Sequence, residues 1–341
     1  MNRGRKTLFI ALTFLLVASA VLLGGELLTR LFWRGGLPAD FSERSLAYRY
    51  DSNLGWFPLT NSSARVHGNC WIEVRHNQDG FRDSRHGPKT KPRIAVVGDS
   101  FVWGYDVASE DRFTDRLQQR LLDWEILNLG VSGYATDQEL LLLRQWLPRY
   151  QPDVVVLVFC DNDLNENVTN IVHGGYYKPY FEKLGTRLVL RGVPVPKSVH
   201  YYRREHPIVF KSRLVEFLFA AWTGVRSPRI GPSSDPSLEL VLGIKQFVEA
   251  NGSKFILGFC TDLQADKKRA FCQACNVDYL FLLDSSLRNQ GDRYIFPNLG
   301  YHWTPEGHEQ VAANRFDFLT TNHFLVSVGK QNPGHRDNSR H

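Results

Sequence analysis

Gly98-Asp99-Ser100-Phe101 sets a hydroxyl directly behind a short apolar run, Arg93 to Val97. That run is rich in β-branched residues and predicts a buried parallel strand. A serine at the carboxyl end of such a strand, in a glycine-containing turn before a helix, stands where open α/β sheets bind their ligands. Its hydroxyl would be exposed there, with backbone N–H groups available to a developing oxyanion. Gly, Asp and Ser are also ordinary turn residues, so this stretch is weak alone. Three further segments strengthen it. Asn128-Leu129-Gly130-Val131-Ser132-Gly133-Tyr134 closes the next strand. Cys160-Asp161-Asn162-Asp163-Leu164 follows the apolar run Val154 to Phe159. His302-Trp303-Thr304-Pro305-Glu306-Gly307-His308 comes just before a helix near the C-terminus.

In the order Ser, Gly, Asn, His, these four blocks resemble the SGNH (GDSL-like) hydrolase superfamily over about Arg93 to Leu319. The resemblance implies that Ser100 is the nucleophile and His302 the base that takes its proton and returns it to the leaving group. It implies an oxyanion hole built from the Ser100 N–H, the Gly130 N–H and the Asn162 side-chain amide, with Gly133 the alternative to Gly130. His308 falls inside the last helix and is expected to hydrogen-bond structurally. No cofactor and no metal are implied. Two positions depart from the family pattern. An aspartate usually stands two or three residues before the histidine, where this chain has Leu299 and Gly300; the nearest preceding acid is Asp292. A Ser-His dyad oriented by a backbone carbonyl is the preferred expectation. The alternatives are that Asp292 or Asp284 folds back, or that the site is impaired. Cys160 replaces a frequent glycine and is expected to pack, not to react.

The implied activity is acyl-ester chemistry through an acyl-enzyme. The expected protein is an exported, membrane-tethered serine esterase acting on acyl or acetyl esters of lipid or cell-envelope glycan. An O-acyltransferase would share the same residues, and a catalytically dead SGNH binding module would fit the missing aspartate.

Strands alternating with helices predict how these blocks are positioned. The expected fold class is α/β, a three-layer α/β/α sandwich with a parallel sheet, flavodoxin-like in the SGNH manner. Expected strands cover 93–97, 125–129, 154–159, 254–260 and 278–283. Expected helices cover 112–124, 136–147, 238–250 and 305–320. Residues 35–90 read as an accessory arm with short strands, in which Arg82 forms a surface salt bridge or touches substrate. The hydrolase domain is expected over 91–325, with an insertion at 166–236 beside the site. That insertion carries a hairpin about Lys183-Leu184-Gly185-Thr186 and an apolar helix over 210–222. Its Tyr176, Tyr177, Tyr180 and Phe181 would offer a surface for sugar or acyl groups, or pack the hairpin. A polar tail, 326–341, reads as disordered.

At 341 residues the chain has room for one large domain, an anchor and accessory segments. Its net charge of +6 includes no long basic run, which argues against nucleic-acid binding. Residues 1–34 form a basic flank, Met1 to Lys6, followed by an uncharged apolar stretch from Thr7 to Gly25. That length matches a bilayer core, and the flank predicts a single-pass anchor with the catalytic domain outside the cytoplasm. The competing reading is a signal peptide cleaved near Ala18-Ser19-Ala20. The expected partners are therefore the lipid bilayer and a small-molecule or glycan acyl ester; oligomeric state is open. Five cysteines are too few for a disulfide scaffold. Cys272 and Cys275 could form a local disulfide or remain thiols, without metal-site spacing around them.

Overall fold

Arg93–Val97 is buried at every position, as a strand covered on both faces must be. The computed structural model containing it describes residues 3–314, apart from positions 173, 186, 227–229 and 299. Helix α1 (Arg3–Phe32) leads into an arm made of α2 (Ser42–Ala47) and two antiparallel hairpins. These pair β1 (Tyr48–Asp51) with β2 (Gly55–Pro58), and β3 (Ser63–His67) with β4 (Trp71–Arg75). The main domain opens with β5 (Arg93–Val97), α3 (Ser100–Trp103), α4 (Phe113–Arg120), β6 (Glu125–Asn128), α5 (Thr136–Tyr150), β7 (Val154–Phe159) and α6 (Asp163–Glu166). An insertion follows, with β8 (Ile171–Val172), β9 (Tyr176–Tyr177), β10 (Tyr180–Leu184), β11 (Arg187–Arg191), α7 (Val199–Glu205) and α8 (Arg213–Arg226). The domain resumes with α9 (Ser237–Ala250), β12 (Lys254–Thr261), α10 (Ala265–Ala274), β13 (Asp278–Leu283) and α11 (Pro305–Asn314). The expected continuation of the last helix to Thr320 and the expected tail at 326–341 lie outside the described residues.

The five central strands run parallel in the order β13-β12-β7-β5-β6. Counted within the sheet this is 2-1-3-4-5, the flavodoxin-like order, with its switch point between β5 and β7. Helices α5 and α9 bury their apolar faces on one side of the sheet, and α4 and α11 on the other. The α/β sandwich expected from the strand–helix rhythm is therefore present. The arm packs into the first of these cores through Trp56, Phe57 and Phe81. The insertion is anchored by a fully buried ion pair between Lys178 and Asp137 of α5. Its expected hairpin forms as β10 and β11.

Helix α1 is long and apolar enough to cross a bilayer, with a mean hydropathy of 2.5 over its most apolar stretch and no buried residue there. Just past the uncharged stretch of this helix, Glu26 accepts hydrogen bonds from Ser212 Oγ (2.7 Å) and from the Arg213 and Leu214 N–H groups. The first turn of α8 is thereby capped by the apolar helix.

Two expectations need correction, and a third, left open, is decided. Cys160 is not merely packed: it forms a disulfide with Cys260, at the adjacent ends of β7 and β12. Parallel pairing brings these two positions together, whereas Cys272 and Cys275 are both free. Of the two readings left open for the insertion's aromatics, packing holds for Tyr176, Tyr177 and Phe181, which are buried, while Tyr180 is half-buried. Arg82 makes neither a surface salt bridge nor a substrate contact. It is fully buried and donates to the carbonyls of Trp103 (3.2 Å), Gly104 (2.5 Å) and Val107 (2.7 Å). Burial, and then the neighbouring Arg112, lower its pKa to about 9. Replacing it strands buried carbonyls, so Arg82→Met is expected to cost about 3 kcal/mol in urea unfolding. A loss below about 1 kcal/mol would mean that water satisfies these carbonyls as well as the guanidinium does.

Candidate active site

Ser100 begins α3 at the end of β5, and the turn before it is held locally. Asp99 caps the helix by accepting the Phe101 N–H at 2.9 Å. Gly98 is required by close packing, since any Cβ there would collide with Val102 and crowd Val158. On the far side of the cleft, an isolated bridge between Ile295 and Trp303 and a hydrogen bond from Phe296 N to His302 O (2.8 Å) hold His302 just ahead of α11. The imidazole stacks on Tyr105, with ring centroids 4.6 Å apart, and meets Phe101 at 5.1 Å. Its Nε2 lies 2.7 Å from Ser100 Oγ.

Asp106 faces the other edge of this ring, with Oδ2 3.8 Å from His302 Nδ1. The chain doubles back to it through Gly104 (φ 82°), and Asp106 itself has φ 68°. Asn69 from the arm holds the carboxylate with its N–H (2.7 Å) and its side-chain amide (2.6 Å). Burial raises the Asp106 pKa, and the Asn69 hydrogen bonds oppose that rise. Neither acid considered from the sequence takes this place. Asp284 caps its own turn by accepting the Ser286 N–H at 2.8 Å, and Asp292 is exposed. Beside the expected pairing of Ser100 with His302, the structure thus places an acid near the imidazole from the Ser100 side of the cleft, at 3.8 Å and without a direct hydrogen bond. Its one sequence signal was an aspartate shortly behind Gly104; Asn69 had none. His308 is buried and accepts the Phe113 N–H at 3.2 Å, in keeping with a structural part.

The three oxyanion candidates differ in placement. Ser100 and Asn162 line one cleft of about 580 Å³ together with His302. Gly130 does not line it. Its N–H donates to Asn128 Oδ1 at 3.0 Å, and a Cβ there would strike the backbone of Val102 and Trp103. Glycine at 130 therefore serves contact with α3. Gly133 (φ 73°) is the glycine on the cleft wall. Asn162 Nδ2 donates to Asp99 Oδ2 (3.2 Å) and Glu166 Oε1 (3.3 Å). The arm also reaches the cleft, through 40–44, His67 and Gly68, a contribution the sequence did not signal. Among the described residues, no group of three or more His, Cys, Asp or Glu could hold a metal ion.

The sequence model of the GDSL-like lipase/acylhydrolase family matches residues 96–208. The chain carries a GDSL-like lipase/acylhydrolase domain. Comparison with curated proteins finds no match. Among solved structures, it is similar to a member of the lipolytic protein G-D-S-L family from Veillonella parvula, at 12% identity over 67% of this chain and 97% of the other, with a TM-score of 0.38. It is also similar to a lipase/acylhydrolase from Enterococcus faecalis, at 15% identity over 65% and 92% of the two chains and a TM-score of 0.36. A psychrotrophic esterase from Pseudoalteromonas sp. gives 12% identity over 71% and 98%, with a TM-score of 0.36.

Behind the cleft, the GDSL-like domain buries two further carboxyl groups, Glu139 and Asp163. Desolvation is the main cause that pushes both well above the usual carboxyl range, and the neighbouring acids add to it. Neither carboxyl oxygen of Glu139 has a hydrogen-bond partner. A raised folded-state pKa means that the folded protein keeps its proton while the unfolded chain loses it. Stability must then fall as pH rises above the ordinary glutamate value, about 4.3. Glu139→Gln keeps the shape and removes this titration. Its melting temperature is expected to fall less than that of the wild type between about pH 5 and about pH 8, by scanning fluorimetry. Parallel curves for the two proteins would show that Glu139 ionises in the fold as it does outside it.

Proposed function

We propose that the protein is a serine ester hydrolase in which Ser100 attacks an acyl carbonyl and His302 accepts its proton. The 2.7 Å contact between Ser100 Oγ and His302 Nε2 carries this reading. A serine hydroxyl becomes a competent nucleophile only with a base in hydrogen-bond reach. Asp106 holds the opposite edge of the imidazole and stabilises the imidazolium formed as the proton moves. The Ser100 and Gly133 N–H groups and one N–H of Asn162, turned from its carboxylate partner, receive the oxyanion. His302 then returns the proton to the departing alcohol, and water admitted to the acyl-enzyme repeats the cycle. The cleft, at about 580 Å³, suits a ligand the size of one acylated sugar or a short acyl ester.

The hydrolase is tethered by α1, with the catalytic domain outside the cytoplasm and acyl or acetyl esters of lipid or cell-envelope glycan within reach. Arg3, Arg5 and Lys6 precede the apolar stretch, which favours a cytoplasmic N-terminus. The Cys160–Cys260 disulfide favours an oxidising compartment for the domain.

A fluorophosphonate serine probe tests the nucleophile. Labelling of the wild type and none of Ser100→Ala is expected; labelling that survives the substitution would assign the reaction to another serine. Asp106→Asn is expected to lower kcat on nitrophenyl acetate by about 10²-fold or more, while Asp284→Asn and Asp292→Asn leave it near wild type. An unchanged kcat in Asp106→Asn would remove that residue from the mechanism.

A further inference from the structure

Arg44 of α2 lines the catalytic cleft and is only 2% exposed. Its Nε and Nη1 are buried without a hydrogen-bond partner. Its guanidinium is held flat by aromatic faces, 4.2 Å from the Trp56 ring centroid and 4.6 Å from that of Tyr176. Such stacking fixes a guanidinium and leaves its N–H edges open. The nearest acid, Glu43, stands 3.9 Å from Nε, beyond hydrogen-bond range. Glu43 instead accepts from Tyr105 Oη (3.1 Å) and Ser132 Oγ (3.4 Å), and burial raises its pKa.

The other carboxylates on the cleft wall are engaged elsewhere. Asp40 accepts the Tyr176 hydroxyl and pairs with Arg204 at 3.4 Å. Asp99 and Glu166 accept the Asn162 amide. A buried cation with open donors is costly unless something brings oxygens to it. In this protein that side chain is part of the lining of the cleft where the ester would sit.

We propose that Arg44 is an anion subsite, and that the ester substrate carries a carboxylate or phosphate group which this guanidinium receives. The proposal rests on the hydrolase reading and narrows its substrate class to anionic esters. The same chemistry would serve an acylated uronate sugar or a lipid phosphate, so the test includes both. Full-length protein in detergent hydrolyses nitrophenyl acetate, a neutral ester with no group for Arg44, in the presence of glucuronate, glycerol phosphate, glucose or glycerol.

In the wild type, glucuronate or glycerol phosphate is expected to inhibit competitively at least about tenfold more tightly than its neutral counterpart. Whichever anion is preferred names the source. Arg44→Met is expected to abolish this preference while keeping kcat on nitrophenyl acetate within about threefold of wild type. Absence of any charge preference in the wild type would overturn the proposal, and that comparison does not depend on the variant folding. A preference retained in folded Arg44→Met would overturn it too. If nitrophenyl acetate is not hydrolysed, the hydrolase reading fails by itself. Calorimetric titration of the wild type with glucuronate, glycerol phosphate and glucose then decides the subsite separately, by the same preference.

Discussion

Burial of β5 and β7 on both faces is the constraint on which the rest of this protein depends. Each strand is apolar or paired at every position, and each can be satisfied only at the middle of a parallel sheet. Their adjacency creates the switch point where the chain must leave the sheet in opposite directions. Ser100 follows one strand and Asn162 the other, so the cleft is a consequence of strand order. The Cys160–Cys260 disulfide links the neighbouring strand ends on the same rim.

A second layer of constraint comes from the arm. Arg82 binds three carbonyls around the loop that follows α3, and Asn69 binds the carboxylate that this loop presents. The arm thereby fixes the carboxylate that lies nearest His302 Nδ1. It also brings Arg44 to the cleft wall. A segment that reads as an accessory is in this sense a part of the site. Several of its buried polar side chains, Glu43, Asp79 and Arg82 among them, gain their partners from the main domain.

The acid nearest His302 Nδ1, Asp106 at 3.8 Å, comes from a part of the chain far from the histidine. In a Ser-His-Asp arrangement the carboxylate stands near Nδ1, and any chain segment that reaches that point can supply it. Here the stretch before His302 offers Leu299 and Gly300, while the loop after α3 turns back through two residues of positive φ, Gly104 and Asp106. The fold thus brings an acid near His302 from the loop that follows α3.

The sequence by itself determined the strands, the helices that cover them, the apolar N-terminal helix, and Ser100, Asn162 and His302 as candidates that meet in one cleft. Each is written in a local pattern: an unbroken apolar run, a helical period, or a polar residue at a strand end. Only the tertiary structure decided which carboxylate faces His302, which glycine lines the cleft, and which cysteines pair. It also decided that Arg82 is a buried clamp and that Arg44 lies beside the site. Those outcomes depend on contacts between residues far apart in the chain. Strand order and arm docking set such contacts, and no local pattern records them.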